Sequence, residues 1–300
     1  MHKVVARVFG GLGNQLFCYA AARRLATVCG AELVIDDVSG FERDHLYRRQ
    51  SQLHHFHILA RRALPAERLE PFSRIRRQLS KKLSRRRAFC DRRYIAQEGI
   101  DFDPRLLALR PSGTVYLDGY WQSERYFKDV EETIRDDLRI KPPNDRHNLA
   151  TATRMRDVVS VAVHARFFDA AGEAQSGCSG TNNAPSEYYQ RAIAQVESFA
   201  PGAHYFLFSD DPSSAVRRIA LPPSRCTVID HNRGDEHAYA DLWLMSQCLH
   251  HVIANSTFSW WGAWLAQRPG KHVIAPGFEM RHGKAWWGFD GLLPDEWTKL

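Results

Sequence analysis

No apolar run in the 300-residue chain is long enough to span a bilayer, which excludes a membrane-crossing helix. The opening Met1-His2-Lys3-Val4 leads straight into a short strand-like run. It lacks the longer apolar core and small-residue cleavage site of a signal peptide, so a cytoplasmic location is expected. Cysteine is sparse. Cys18, Cys29, Cys90, Cys178, Cys226 and Cys248 form no C-x-x-C pair and have no zinc-site spacing, so reduced thiols are expected. Internal repeats and low-complexity segments are also lacking. The content of 44% hydrophobic and 25% charged residues fits an ordinary globular protein.

The formal net charge is +7, and it is concentrated. Most of the excess lies in 61–93, with runs such as Lys81-Lys82 and Arg85-Arg86-Arg87. A basic surface attracts nucleic acid, an anionic membrane or a charged sugar nucleotide; a merely solvated helix face reads the same way. The sequence carries no recognisable nucleic-acid-binding module, so nucleic acid is not expected as a partner. Among functional readings an anionic membrane surface fits best, with the protein peripheral on the inner face.

Strand and helix signals alternate. Residues 4–9 read as a buried strand, broken by Gly10-Gly11-Leu12-Gly13. Phe17, Ala21, Leu25 and Val28 mark one face of the following helix, Gly30 ends it, and Leu33-Val34-Ile35 is the next strand. The region 36–110 is less regular and holds His54, His55 and His57, a surface turn rather than a metal site, since no acidic or cysteine partner is near. Val115-Tyr116-Leu117 reads as a strand, and Phe127, Val130, Ile134 and Leu138 as an amphipathic helix. Pro142-Pro143-Asn144-Asp145 is the clearest linker signal. It divides the chain into an expected N-terminal domain, 1–145, with a basic helical insertion at 61–93, and a C-terminal domain, 146–300. Beyond the linker, strands near 158–163, 205–208, 228–229, 252–254 and 272–275 alternate with helices. That alternation implies parallel sheets covered on both faces.

In such sheets ligands bind beyond the carboxyl ends of the strands. Four polar clusters fall there. Gly11, Gly13, Asn14 and Gln15 follow the first strand; they form a ligand loop or a simple tight turn, but not the dinucleotide fingerprint, because a third glycine is missing. His164 and Arg166 follow the strand of the linker's far side, with Asp169 three residues on. An arginine fork suits a diphosphate, but Arg166 could equally pair with Asp169 to hold the turn. Asp210 and Asp211 could accept from guanine or ribose, or cap the helix that starts at Pro212. Asn255, Ser256, Thr257 and Ser259 could cradle a phosphate, and Trp260, Trp261 and Trp264 could stack on a sugar or simply be core.

Together these segments resemble the bacterial α-1,2-fucosyltransferases, glycosyltransferase family 11. The resemblance rests on Gly10 to Gln15 and on Leu117-Asp118-Gly119-Tyr120-Trp121-Gln122-Ser123-Glu124-Arg125-Tyr126-Phe127. It continues through His164-x-Arg166, Tyr188-Tyr189-Gln190-Arg191-Ala192-Ile193, Phe208-Ser209-Asp210-Asp211, Asp241-Leu242-Trp243-Leu244-Met245-Ser246 and the segment 254–265. Where the family reads His-x-Arg-Arg-Gly-Asp-Tyr, this chain reads His164-Ala165-Arg166-Phe167-Phe168-Asp169-Ala170, and Ala240 stands where a Glu usually precedes Asp241. The resemblance implies an α/β fold of GT-B type, two Rossmann-like domains with parallel sheets facing across a cleft. It implies an inverting, metal-independent transfer of L-fucose from GDP-fucose to a galactose-type hydroxyl, with no cofactor and no metal ligands. The acceptor would be an oligosaccharide or a lipid-linked glycan of the polysaccharide or O-antigen kind. A related transfer, with another GDP-deoxysugar or another linkage, is the alternative. On this reading Arg166 stabilises the leaving diphosphate; Asp169 and His164 are the local candidates for the base, with His164 rather orienting Arg166 or touching the donor. Asp169 is the base or its orienting partner. The donor is held by Gly11, Gly13, Asn14, Gln15, Asp210, Asp211, Asn255, Ser256, Thr257 and Ser259.

Overall fold

The alternation of strand and helix is present twice in the computed structural model, which describes residues 2–167, 183–282 and 285–300. The chain divides into one unit of Met1–Ile140 with Asp290–Leu292 and a second of Lys141–Phe289 with Leu293–Leu300.

The first unit runs β1 (Lys3–Arg7), α1 (Leu12–Cys29), β2 (Glu32–Asp36), β3 (Arg61–Arg62), α2 (Ser73–Ser84), β4 (Tyr94–Ala96), α3 (Arg105–Ala108), β5 (Thr114–Asp118) and α4 (Glu131–Asp137). The strands form one sheet in the order β3-β2-β1-β5-β4, and every pairing is parallel. α1 is rich in Leu and Ala and carries Phe17 and Tyr19. Its residues from Leu16 to Ala22 are buried, as a helix laid on the middle of a parallel sheet requires. Gly30 closes it in the left-handed conformation (φ 56°), its N–H returned to the Ala26 and Thr27 carbonyls. Gly40 is fixed by space rather than by φ: a Cβ there would lie 1.9 Å from the Val8 carbonyl oxygen. The helix expected over 127–138 is shorter than its apolar spacing suggests. Phe127 and Val130 adopt non-helical backbone (φ −141° and −128°), so α4 starts only at Glu131, although Phe127, Ile134 and Leu138 are all buried.

The second unit runs α5 (Arg146–Asp157), β6 (Ser160–Ala165), α6 (Ser186–Phe199), β7 (His204–Ser209), α7 (Pro212–Arg218), β8 (Cys226–Ile229), α8 (Ala238–Gln247), β9 (His250–Val252), α9 (Thr257–Leu265), β10 (Val273–Ala275), β11 (Met280–His282), β12 (Ala285–Trp287) and β13 (Thr298–Lys299). Its main sheet has the order β13-β10-β9-β6-β7-β8, all parallel, and β11 and β12 form a separate antiparallel pair. β6 is buried along its whole length, as expected for a central strand. Its side chains pack with Tyr188, Ala192 and Val196 of α6 and with Tyr205 and Leu207 of β7. Among the described residues no helix is long and apolar enough to cross a membrane.

Candidate active site

Strand order locates the crevice in each unit. In the second, the chain leaves β6 towards β7 and β8, then returns to the other side of β6 for β9 and β10. The sheet therefore reverses direction between β6 and β9, the kind of point at which ligands bind in open α/β sheets. The segments flanking that point are His164 at the carboxyl end of β6 with Arg166 and Phe167 just after it, and Asn255 to Thr257, which follow β9. Asp210 and Asp211 follow the neighbouring β7. Three of the four polar clusters seen in the sequence thus meet at one sheet edge.

At its centre Arg166 pairs with Asp210, Nη1 to Oδ2 at 3.1 Å, each side chain about one-third exposed. The second oxygen of Asp210 accepts the Phe167 N–H at 3.0 Å. The turn is thus held by Asp210 from the adjacent strand. The Arg166–Asp169 pair considered above cannot be placed, because Asp169 lies outside the described residues. Burial pushes the Asp210 carboxyl up, and the Arg166 charge pulls it back. With its carboxylate on the arginine and the backbone, Asp210 reads as the group that orients Arg166 rather than as a reader of guanine.

His164 is buried beneath this pair, and its Nδ1 has no hydrogen-bond partner. Burial first, and the Arg166 charge second, lower its pKa to about 3. The imidazole is neutral at physiological pH and inaccessible, so it is a poor general base. The role left to it is positional. Two tyrosines of α6 brace the same strand ends. Tyr189 donates to the His164 carbonyl at 3.0 Å, and Tyr188 to the Ile253 and Ile274 carbonyls at 2.7 and 3.0 Å.

Several expected donor contacts are spent inside the protein. Asp211 caps α7, accepting from the Ser214 N–H at 3.0 Å and from the Ser213 and Ser214 hydroxyls at 2.7 and 2.6 Å. Those donors lower its pKa to about 2. It is a cap, and with its carboxylate engaged by three donors we give it no part in the donor contacts proposed below. Ser259 is fully buried and donates to the Ala254 and Ser256 carbonyls at 3.4 and 3.2 Å, so it too is left out of the proposed donor contacts. Ser256 is the N-cap of α9, its hydroxyl accepting from the Phe258 N–H at 3.3 Å. It and Thr257 stand half-buried at the α9 N-terminus, with Asn255 buried just before them. Trp260, Trp261 and Trp264 are core: Trp260 packs on Trp261, Trp264 and Trp297 at centroid distances of 4.9, 6.1 and 5.5 Å.

In the first unit the reversal lies between β1 and β5, where Gly10 to Gln15 face Gly119 to Gln122. Gln15 is fully buried. Its amide donates to the Gly10 and Gln50 carbonyls, both at 3.0 Å, and accepts the Gln52 N–H at 2.9 Å. It ties a loop to the strand end, and with its amide used in this way we give it no part in the proposed donor contacts. The Asn14 N–H is likewise committed, to the Gly11 carbonyl at 2.9 Å, and Gly13 is buried within α1. The Asn14 side chain accepts from Gln122 at 2.7 Å, and a Cβ on Gly10 (φ 79°) would meet the Tyr120 hydroxyl at 3.0 Å. Gly11 is half-buried, with the Arg49 guanidinium 3.8 Å from where its Cβ would be.

Tyr120 and Gln122 were given no site role from the sequence, and Arg49 was not named. The first two stand in the Leu117–Phe127 motif, directly after a strand, and that position was the available signal. Arg49 had none. A second omission is the network beyond β8. Asn232 donates to Asp241 at 2.8 Å and exchanges bonds of 2.8 and 3.0 Å with Asn148, which is tied to Asp145. Burial raises the Asp241 pKa to about 7, with the Asn232 bond opposing. Among the described residues no group of three or more His, Cys, Asp or Glu could hold a metal ion.

Comparison with known proteins gives the family and the fold. The model of Glycosyl transferase family 11 matches residues 7–284. An alpha-1,2-colitosyltransferase of Escherichia coli is 29% identical over 306 aligned positions, spanning all of this chain and 99% of that one. The O-antigen biosynthesis glycosyltransferase WbnK of Escherichia coli is 34% identical over 119 residues, 39% of this chain and 36% of its own. Among solved structures, a FUT1 mutant of Arabidopsis thaliana in complex with GDP superposes with a TM-score of 0.52 at 13% identity, covering 99% of this chain and 76% of that one. That likeness shows the fold, a GT-B-type pair of Rossmann-like units.

Proposed function

The chain belongs to glycosyl transferase family 11 and is a glycosyltransferase; on that premise we propose that it moves L-fucose from GDP-fucose to a galactose-type O2 of an oligosaccharide or polysaccharide precursor, inverting the anomeric centre without a metal ion. The observation that carries the proposal is the Arg166–Asp210 pair, fixed at the reversal point of the second sheet beside the N-terminus of α9. A diphosphate leaving group needs positive charge where its negative charge develops. A guanidinium held by a neighbouring carboxylate and a helix N-terminus with hydroxyl residues supply it in one place.

In the reaction the acceptor oxygen forms a bond to the sugar C1 while the C1–O bond to the β-phosphate breaks, and the electron pair leaves with GDP. The hydroxyl proton passes to a base. With His164 held neutral and buried, Asp169 is the base we propose, and Asp169→Asn should then remove the rising acidic limb of the pH–rate profile. Gly11, Gly13, Asn14, Asn255, Ser256 and Thr257 remain proposed donor contacts through their backbone, amide or hydroxyl groups.

A second reading is favoured by the full-length relative named for colitose: the donor is a different deoxysugar nucleotide, passed to the same kind of hydroxyl. The test is product analysis after incubation with GDP-fucose, and separately with a colitosyl nucleotide, on a panel of galactose-terminated acceptors. An α-1,2-fucosyl product is expected. Transfer from the colitosyl donor alone moves the assignment to the second reading, and transfer from neither overturns both.

A further inference from the structure

α2 is turned inside out for a helix on a water-facing domain. A helix of this kind buries its apolar stripe and shows its charges to solvent. At roughly 100° per residue, Arg77, Lys81 and Ser84 share one face, and Ile75, Leu79 and Leu83 share the opposite one. The polar face is the one turned inward. Arg77 is buried, 3.4 Å from Asp36 and 2.5 Å from the Ser39 hydroxyl. Lys81 pairs with Asp118 at 2.6 Å, and Ser84 accepts the Tyr94 N–H at 3.1 Å. Ile75, Leu79 and Leu83 are 57%, 54% and 58% exposed, and Phe72, at the N-cap, is 72% exposed.

The borders of the apolar stripe are basic. Arg74, Arg76, Lys82, Arg85, Arg86 and Arg87 are all exposed, and no Asp or Glu occurs between residues 72 and 90. Single exposed leucines need no explanation, but four large apolar side chains aligned on one helix face, rimmed by cations, do. From this arrangement we infer that α2 is an interfacial helix that seats the protein on an anionic lipid bilayer, with Phe72, Ile75, Leu79 and Leu83 entering the headgroup–acyl boundary and the flanking Arg and Lys contacting the lipid phosphates.

Other occupants fit less well. A second copy docked through the same face would set two dense positive rims against each other. Nucleic acid would use the cations and leave the stripe in water. An acidic protein groove would have to enclose the helix, but half its circumference is anchored to the sheet by Arg77 and Lys81. A planar surface needs only the face that is presented.

The test is flotation of the full chain with phosphatidylcholine vesicles and with vesicles enriched in phosphatidylglycerol. Binding to the anionic vesicles, weakened by salt, is expected. The triple variant Ile75→Ser, Leu79→Ser, Leu83→Ser should lower partitioning more than tenfold, and each of Arg74→Gln, Lys82→Gln and Arg86→Gln by about fivefold. These side chains are exposed and outside the active site. Melting temperature and transfer to a soluble acceptor should therefore be unchanged, which keeps this test separate from the donor assignment. The inference is overturned if both vesicle types bind alike, if neither binds at low salt, or if the serine variant partitions like the wild type. It is equally overturned if the stripe supports a concentration-dependent dimer, or nucleic-acid binding, in place of lipid binding.

Discussion

Replacing Arg166 by lysine tests the active site most directly, because it keeps the charge and removes the planar fork. In the protein the guanidinium donates to Asp210 at 3.1 Å while Asp210 also holds the Phe167 N–H. A lysine can keep one such bond as a point charge. It cannot satisfy the carboxylate and at the same time present parallel donors to a diphosphate. If the pair exists to place positive charge on the departing phosphates, the loss should match the removal of one preorganised donor, about a hundred- to a thousandfold in kcat or ~2.7–4 kcal/mol. Stability should hardly move. Both side chains are about one-third exposed, and an ion pair of that exposure is worth about 0.2–1 kcal/mol. The assay pairs steady-state kinetics with GDP-fucose against a thermal melt. A hundredfold loss with a melting shift of no more than about 4 °C is expected. A kcat within about threefold of wild type, or a loss matched by a collapse in stability, would refute the assignment.

Three further outcomes follow from the same geometry. Asp211→Ala should cost about 1 kcal/mol through loss of the α7 cap while leaving GDP affinity unchanged by calorimetry; because its folded pKa is depressed to about 2, the stabilisation is present above the ordinary carboxylate range and lost as pH falls towards about 2. Asp241 has the opposite sign: its pKa is raised to about 7, so the folded state binds the extra proton and stability falls as pH rises from about 4 to about 7. Asp241→Asn, which keeps the bond from Asn232, should flatten that slope in denaturant titrations across the range. Gln15→Leu should leave the Gly10 and Gln50 carbonyls and the Gln52 N–H without their partner, a loss of about 1–3 kcal/mol per stranded group seen in urea midpoints, before any effect on KM for the donor.

The strands and helices were legible because buried parallel strands read as apolar runs, and helices laid on them repeat every three to four residues. The candidate site could be proposed from the sequence for a related reason: polar residues at or just after the end of a buried strand stand out against it, at positions 164–166, 210–211 and 255–259. Their use was not legible. A polar side chain at a strand end can be satisfied by a ligand or by the local backbone, and both choices leave the same residue in the sequence. Asp211 and Asp210 are adjacent and chemically identical, yet one caps a helix and the other holds an arginine on the next strand. The difference is set by β6 lying beside β7, a contact across 44 residues that no local pattern reports.

The same limit explains α2. Its charge density was plain, and its apolar positions were spaced like any amphipathic helix; what the sequence could not say is which face the sheet would take. The decision rests on acceptors far along the chain. Asp36 and Asp118 stand at the carboxyl ends of β2 and β5, and both carboxylates are nearly buried; Asp118 also pairs with Arg7 at 3.2 Å, so Lys81 is its second cation while Arg77 is the one α2 brings to Asp36. A buried carboxylate without a cation is costlier than an exposed leucine, because an unpaired charge loses its hydration while an exposed apolar side chain forgoes only about 1.5–3 kcal/mol of burial. Arg77 and Lys81 therefore face the sheet, and Ile75, Leu79 and Leu83, lying opposite them on the helix, are left to whatever surface the protein meets.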